Sequence, residues 1–470
     1  MTRFLEISNH TLFWYYLASN IAYLVMLLVA FKTSAAHQHR LESHRLGWIK
    51  ESPLAPPITI IVPAHNEESS IRVAVRNLLD LDYPELEVIV VNDGSADRTL
   101  DEMREEFRLR PVRSVYVASL KSAPVRGLYR SGADARLLVI DKEPVGSKAD
   151  AINAALNAAT SPYVCIVDAD SVLERDALLR IMVPVLADPK RVVAVGGIIR
   201  VLNGSEIAKG TLRRARLPRK SIEIIQVIEY LRAFLIGREA WSQGNMLMII
   251  SGAFGVFRTD LVRAVGGYRP NTIGEDFDLV ARLHKHLLEK RAEYRVHFVP
   301  DPMCWTEVPS DLKSLSRQRA RWQKGLLDVL WSTRGMLFRP RYGRIGFFAL
   351  PYLWLFECAA PVIEILGIVA IILAAALGVL SRTFFLQFLL FGYAFATVIS
   401  IGSVLQEEIT YKRYNDWQDV VRLVSYCFFE HFPYRQMHMF WRLQGIWQYL
   451  RGDHVWGVLK RKGMQSASVP

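Results

Sequence analysis

The sequence predicts an α/β domain with a mostly parallel sheet, joined in one polypeptide to transmembrane α-helices. Three observations point there. At 470 residues the chain is about three times as long as a typical domain, so a single core is not expected. Hydrophobic residues make up 51% and charged residues 22%, too apolar for a disordered chain and too charged for membrane helices alone. Between Pro56 and Pro309 short apolar runs alternate with longer amphipathic ones, the pattern of strands and helices taken in turn.

From Ile7 to Phe31 there is no Asp, Glu, Lys or Arg, and Thr11–Phe31 has the ~20 residues a bilayer-crossing helix needs. Ser34-Ala35-Ala36 admits a signal peptide, but the long apolar region and the cancelling charges of Arg3 and Glu6 favour a retained helix. A second apolar block, Phe347–Leu380, is interrupted by Pro351, Glu357, Pro361 and Glu364; a third, Phe384–Gln406, is free of charge. Carboxylates inside a membrane are costly, so Glu357 and Glu364 are expected to face protein or a polar path. Lys32, Arg40, Arg45 and Lys50 follow the first helix, and Arg435, Arg442, Arg451, Lys460, Arg461 and Lys462 fill the tail. Both regions should therefore be cytoplasmic. Val420–Phe440 carries Arg422, Glu430, His431 and Arg435 and reads as an interfacial or re-entrant helix. Three spans are expected, with four as the alternative. The layout is a transmembrane helix over 1–34, the α/β domain over 35–309, an amphipathic interfacial helix over 310–340, membrane helices over 341–441 and a basic tail over 442–470. The protein is expected in the cell inner or plasma membrane, multi-pass, with its α/β domain in the cytoplasm.

Inside that domain the expected strands are Ile58–Val62, Glu87–Val91, Arg136–Ile140, Tyr163–Val167 and Val192–Ile199, separated by helical stretches Glu67–Leu79, Asp97–Phe107, Ser147–Ala159 and Glu174–Leu186. Ligands of such folds collect at the carboxyl ends of the strands. Four of those ends are polar: Pro63-Ala64-His65-Asn66-Glu67, Asn92-Asp93-Gly94-Ser95, Asp141-Lys142 shortly before Gly146-Ser147-Lys148, and Asp168-Ala169-Asp170. Any one could be turn chemistry; four on one sheet edge suggest a site. Residues two apart on an extended segment point the same way, so Asp168 and Asp170 can serve one ligand. Hard oxygen ligands backed by phosphate suit Mg²⁺ or Mn²⁺. No GxxxxGK[ST] or GxGxxG lies there, which excludes the P-loop and dinucleotide-binding readings. Downstream, Gly274-Glu275-Asp276 opens a predicted helix, where N-cap duty is the plain explanation. Gln318, Arg321 and Trp322 fall within about one helical turn of a basic amphipathic stretch, an amide, a guanidinium and an indole side by side.

The net charge of +12 would suit nucleic acid, anionic lipid or a phosphorylated substrate. No nucleic-acid reading module is present. The four cysteines, Cys165, Cys304, Cys358 and Cys427, are widely spaced with no CxxC pair, which argues against a disulfide framework and a zinc site.

In order, Asp93, Asp168-Ala169-Asp170, Glu275-Asp276 and Gln318-x-x-Arg321-Trp322 resemble the D, DxD, [T]ED, QxxRW signature of membrane-integrated, processive family 2 glycosyltransferases. That group includes cellulose, chitin, hyaluronan and poly-N-acetylglucosamine synthases. The resemblance implies an α/β GT-A (nucleotide-diphospho-sugar transferase) domain plus transmembrane α-helices. It implies inverting, metal-dependent transfer from a UDP-sugar, UDP-N-acetylglucosamine before UDP-glucose, to the end of a growing β-linked polysaccharide. Transfer of one sugar to a lipid carrier is the alternative. By the same resemblance Asp93 and the loop of Pro63, Ala64, Asn66 and Glu67 would hold the uridine, and Lys148 would touch the nucleotide. Asp168 and Asp170 would bind Mg²⁺ or Mn²⁺; Asp276, beside Glu275, would be the general base. Gln318 and Arg321 would stabilise departing UDP, and Trp322 would lie under the acceptor sugar. Trp456 and Arg461 resemble a WGxxxR gating segment.

Some features depart from the family. Gly274 replaces the usual Thr; Arg113–Ala135 is an unassigned loop; the run Lys209–Lys220 holds six basic residues, read as lipid-facing or solvated. No FxVTxK-like loop or C-terminal cyclic-dinucleotide domain is evident, which argues against the closest cellulose-synthase type. So few spans suggest that an accessory subunit or homo-oligomer completes any polymer channel. Membrane lipids are expected partners, and nucleic acid is not.

Overall fold

The computed structural model describes residues 2–43, 47–52, 55–113, 116, 118–208, 211–414 and 416–453. Lys209, Trp456 and Arg461 lie outside the described residues. The chain divides into a sheet unit, chiefly His39–Pro218 and Ser242–Val308, and a helical unit, Met1–Gln38, Arg219–Trp241 and Pro309–Gly457. The expected 35–309 domain is thus interrupted, because Arg219–Trp241 groups with the helices.

The chain opens with α1 (Thr2–Ser43). The strands are β1 (Ile58–Ala64), β2 (Leu86–Asp93), β3 (Leu109–Pro111), β4 (Val125–Ser131), β5 (Leu137–Lys142), β6 (Tyr163–Val167), β7 (Ser171–Leu173), β8 (Val192–Val201), β9 (Glu206–Ala208), β10 (Thr211–Arg214), β11 (Phe254–Arg258) and β12 (Arg295–Thr306). Helices α2 (Ile71–Leu79), α3 (Thr99–Phe107), α4 (Lys148–Ala158) and α5 (Ala177–Ala187) connect the early strands. Ser221–Tyr230 (α6) belongs to the helical unit, and Glu275–Glu289 (α7) to the sheet unit.

One ten-stranded sheet runs β3-β4-β5-β2-β1-β6-β11-β8-β12-β7. Its middle strands are apolar on both faces (Ile58, Ile60, Ile61, Val62, Val88, Ile89, Val90 and Val91 are all 0% exposed), as strands covered by helices on both sides must be. β5, β2, β1 and β6 are mutually parallel, as is β12 to β8. The sheet is nevertheless mixed, not mostly parallel. β11 enters antiparallel between β6 and β8, and β3, β4 and β7 pair antiparallel at the edges. The segment left unassigned, Arg113–Ala135, supplies edge strand β4, whose weak apolar alternation reflects its half-exposed position.

The mixed topology sets which residues meet at one sheet edge. Parallel β5, β2, β1 and β6 bring Lys142, Asp93, Ala64 and Val167 together there. Antiparallel β11, in register Phe254↔Val167, begins at that same edge, so the residues just before it arrive beside Asp168.

His284 on α7 anchors the far side of the core. Its Nε2 donates to the Leu247 carbonyl at 2.9 Å, and its Nδ1 accepts from the Tyr294 hydroxyl at 2.6 Å. The neutral ring is fully paired, and burial pushes its pKa down to about 4. The unfolded chain takes up this proton below about pH 6.5 but the folded protein only below about 4, so this group favours unfolding as pH falls through that window. We predict a loss on the order of 3 kcal/mol between those limits. Unfolding midpoints of wild type and His284→Gln against pH check it; an equal slope in both would remove His284 as the source.

In the helical unit, His10–Ser34 and Phe385–Thr410 are long and apolar enough to cross a membrane; the helix pair Ile345–Cys358 and Ala360–Ala376, bent by 44°, makes a third if it counts as one span. The bend adjoins Pro361, which lacks an N–H to continue the helix. Both carboxylates of this block face protein. Tyr23 donates to Glu357 at 3.2 Å, and Arg435 pairs with Glu364 at 2.6 Å. Further along lie α8 (Leu312–Thr333), α9 (Ala360–Ala376), α10 (Phe395–Thr410), α11 (Trp417–Phe429) and α12 (Arg435–Leu450). Within the basic run Thr211–Arg214 forms β10, paired antiparallel with β9; Ile207 and Leu212 pack on Trp305 and Val172, while Arg213, Arg214, Arg216, Arg219 and Lys220 are exposed.

Candidate active site

The strand-end loops are tied to one another by side chains that short polar residues make cheaply. Asn66, at φ +57°, accepts from Ala96 N at 2.8 Å, its own N–H donates to Ser95 Oγ at 3.0 Å, and Glu67 N donates to Thr99 Oγ1 at 2.8 Å. Pro63 and Ala64 close β1 beneath this loop. Gly94 also has positive φ, and a Cβ there would lie 2.6 Å from Pro144, so the turn after β2 admits glycine alone.

Asp93 is buried beside Lys142, which the sequence offered as part of a polar strand end but without a role. Lys142, fully buried, pairs with Asp93 Oδ1 and, at 2.9 Å, with Asp150. It also donates to the Glu143 carbonyl at 2.8 Å. A buried ammonium needs partners on every proton, and these supply them. Removing it as Lys142→Met would strand two buried carboxylates and cost about 3–5 kcal/mol. Thermal unfolding measures this, and an unchanged midpoint would contradict it.

At the neighbouring strand end Asp168 and Asp170 lie in a turn, not on an extended segment: Ser171 N donates back to the Asp168 carbonyl at 3.0 Å. Asp168 is half-buried and Asp170 buried. Lys148, the first residue of α4, reaches Asp168 Oδ1 at 2.6 Å and the Gly252 carbonyl at 3.3 Å. Gly252 N in turn donates to Asp276 Oδ2 at 2.8 Å. Asp276 and buried Glu275 form the first turn of α7, where the helix dipole favours carboxylates. Burial alone would push the Lys148 ammonium down, but Asp168, then Asp276 and Glu275, outweigh it and hold the lysine above its ordinary range.

The structure therefore gathers Lys148, Asp168, Asp276 and Gly252. Gly252 was not foreseen; Ser251-Gly252 offers only a small-residue pair ahead of an apolar run. A Cβ on it would stand 2.5 Å from both Asp276 oxygens and 2.6 Å from Lys148 Nζ. Among the described residues no three metal-ligating side chains form a group. Two carboxylates at one turn fit a divalent ion that completes its shell with diphosphate oxygens and water.

Gln318, Arg321 and Trp322 belong to α8 of the helical unit. Asp311 caps that helix, accepting from Ser314 N at 2.9 Å. Its buried face carries Leu315, Arg319, Ala320 and Gln323, while Trp322 is 45% exposed and Gln318 and Arg321 are half-buried. Arg319 lies 4.3 Å from the Trp322 ring centre, pairs with Glu229 of α6 at 2.5 Å, and Glu229 also accepts from Tyr434 at 2.9 Å. Arg319 and Glu229 are thus a support for the indole that the motif spacing left unremarked.

Residues 59–262 match glycosyl transferase family 2, and residues 163–401 match glycosyl transferase family group 2. The poly-beta-1,6-N-acetyl-D-glucosamine synthase of Staphylococcus epidermidis is 28% identical over 282 residues, covering 59% of this chain and 57% of the relative. The synthase of the same name from Staphylococcus aureus strain COL is 29% identical over 275 residues, covering 58% and 55%. The chain thus aligns with little more than half the length of the curated relatives it matches. In fold it is similar to a mannosyltransferase from Pyrobaculum calidifontis, solved in complex with GDP-Man and Mn²⁺, with TM-score 0.52, 22% identity, and 90% of this chain and 99% of that chain covered.

Proposed function

This chain belongs to the family 2 glycosyltransferases, and from that premise we propose that it is an inverting, metal-dependent membrane synthase. It extends a β-linked polysaccharide from a UDP-sugar, with UDP-N-acetylglucosamine as the preferred donor. The observation that carries this reading is the convergence of Lys148, Asp168 and Asp276 around Gly252. The names of the staphylococcal relatives support the choice of sugar and product.

Asp276 takes the proton of the acceptor hydroxyl as its oxygen attacks the anomeric carbon. The bond from that carbon to the UDP oxygen breaks on the opposite face, which inverts the configuration. Asp168 and Asp170 would hold Mg²⁺ or Mn²⁺, and a bound ion would supply positive charge against the leaving diphosphate. Lys148, kept charged by its carboxylate neighbours, adds to that field, and Gln318 and Arg321 receive the departing UDP. Trp322 gives the acceptor sugar an apolar platform. Asp93 selects the base. Among the described residues its side-chain contacts fall on Oδ1, from Lys142 and, at 3.4 Å, from Val145 N. One remaining oxygen suits the single N3–H of uracil better than the paired donors of guanine. His10–Ser34 and the later apolar helices hold the protein in the cell inner or plasma membrane, with the sheet unit in the cytoplasm.

The test is nucleotide release and product length from purified protein given UDP-N-acetylglucosamine, UDP-glucose and GDP-mannose with Mg²⁺ or Mn²⁺. UDP release with a long polymer is expected. Transfer of one sugar to a lipid carrier, or a preference for GDP-mannose, would replace this reading.

A further inference from the structure

The contact between α8 and α12 is the most extensive between any two helices among the described residues. It is also close. A Cβ on Gly445 of α12 would stand 2.4 Å from the carbonyl oxygen of Ala320 and 3.1 Å from its Cα and carbonyl carbon. Those atoms are backbone and cannot turn aside. Ala320 lies between Gln318 and Arg321, so α12 touches the main chain of α8 in the middle of the motif.

Three further ties run along α12 from end to end. Tyr434, just before it, reaches Arg319 through Glu229. Arg442 Nε donates to Gln323 Oε1 at 2.8 Å, and its Nη2 donates to the Glu357 carbonyl. Beyond its end the Asp453 carbonyl accepts from Lys324 at 3.4 Å. All four ties meet α8 between Arg319 and Lys324, about one and a half turns. The arrangement is made through Arg319, Ala320, Gln323 and Lys324. It fixes where a short stretch of α8 sits, and that stretch displays the exposed Trp322.

We propose that α12 is a brace for this stretch, and that Gly445 and Arg442 are positioning residues for Gln318, Arg321 and Trp322. The inference rests on the roles given to those three residues under the proposed function. An error of about 1 Å in placing groups that act on the transition state lowers turnover by about 10²-fold, whereas donor recognition through Asp93 and Lys148 is untouched.

The experiment compares purified full-length wild type with Gly445→Ala, Arg442→Gln, Gln323→Ala and the Arg442→Gln/Gln323→Ala double variant. The expected result is that kcat for UDP release falls about tenfold or more while donor KM stays within about twofold. Arg442→Gln and Gln323→Ala should not multiply, because each breaks the same bond. Arg442→Gln leaves the helix contact unobstructed and serves if Gly445→Ala does not fold. A folded Arg442→Gln protein with wild-type kcat, or strictly multiplicative single effects, would overturn the brace. A second readout needs no turnover: the alkylation rate of a cysteine at the exposed position, Trp322→Cys, should change on adding Gly445→Ala or Arg442→Gln. Wild-type protein that releases no UDP would sink the proposed function, and an unchanged alkylation rate would sink the brace separately.

Discussion

Asp276→Asn is expected to lower UDP release by about 10³-fold while leaving UDP binding within a factor of about two, the size of effect associated with loss of a general base. The substitution preserves shape. An amide oxygen can still accept from Gly252 N, as Asp276 Oδ2 does at 2.8 Å, and the first turn of α7 keeps a polar side chain. What is removed is the capacity to take a proton, together with one of the carboxylate charges that act on Lys148. Calorimetric UDP titration beside a coupled UDP-release assay separates the two properties. Release within about tenfold of wild type in a variant that binds UDP normally would remove Asp276 from the chemistry.

Gly252→Ala tests the same cluster from the backbone side. The new methyl would fall 2.5 Å from both oxygens of Asp276 and 2.6 Å from Lys148 Nζ. Lysine is long and can retreat. Asp276 is short, fixed at a helix start, and must move. A shift of about 1 Å in a reacting group costs about 10²-fold in rate, so a loss of that order is expected with little change in stability. Gly335→Ala, with nothing within 4 Å of its Cβ position, is the control and should behave as wild type. Equal activity of Gly252→Ala and wild type would mean that Asp276 is not held where the reaction needs it.

Much of the fold was legible because local rules agree with it. The runs at Ile58–Val62, Glu87–Val91 and Tyr163–Val167 lie in central parallel strands, and a strand buried on both faces has to be continuously apolar. Edge strand β4 was hidden for the converse reason: half-exposed, it alternates weakly and carries Arg126 and Arg130. β11 was missed because Phe254–Arg258 carries Gly255 at its second position and follows Ser251-Gly252, small residues that read as a turn rather than a strand. Asp168 and Asp170 were legible as residues but not as geometry, since a turn and an extended segment share the same letters.

The carboxylates, the motif order and the apolar segments are properties of composition and spacing, so the sequence by itself determined the family, the acidic strand ends and the stretches able to cross a bilayer. Tertiary structure alone decided the neighbours. Lys142 between Asp93 and Asp150, Gly252 beneath Asp276, and Gly445 against Ala320 join residues from 8 to 125 positions apart. Such pairings depend on which strand inserts beside which and on how closely two helices approach, and no local periodicity encodes either.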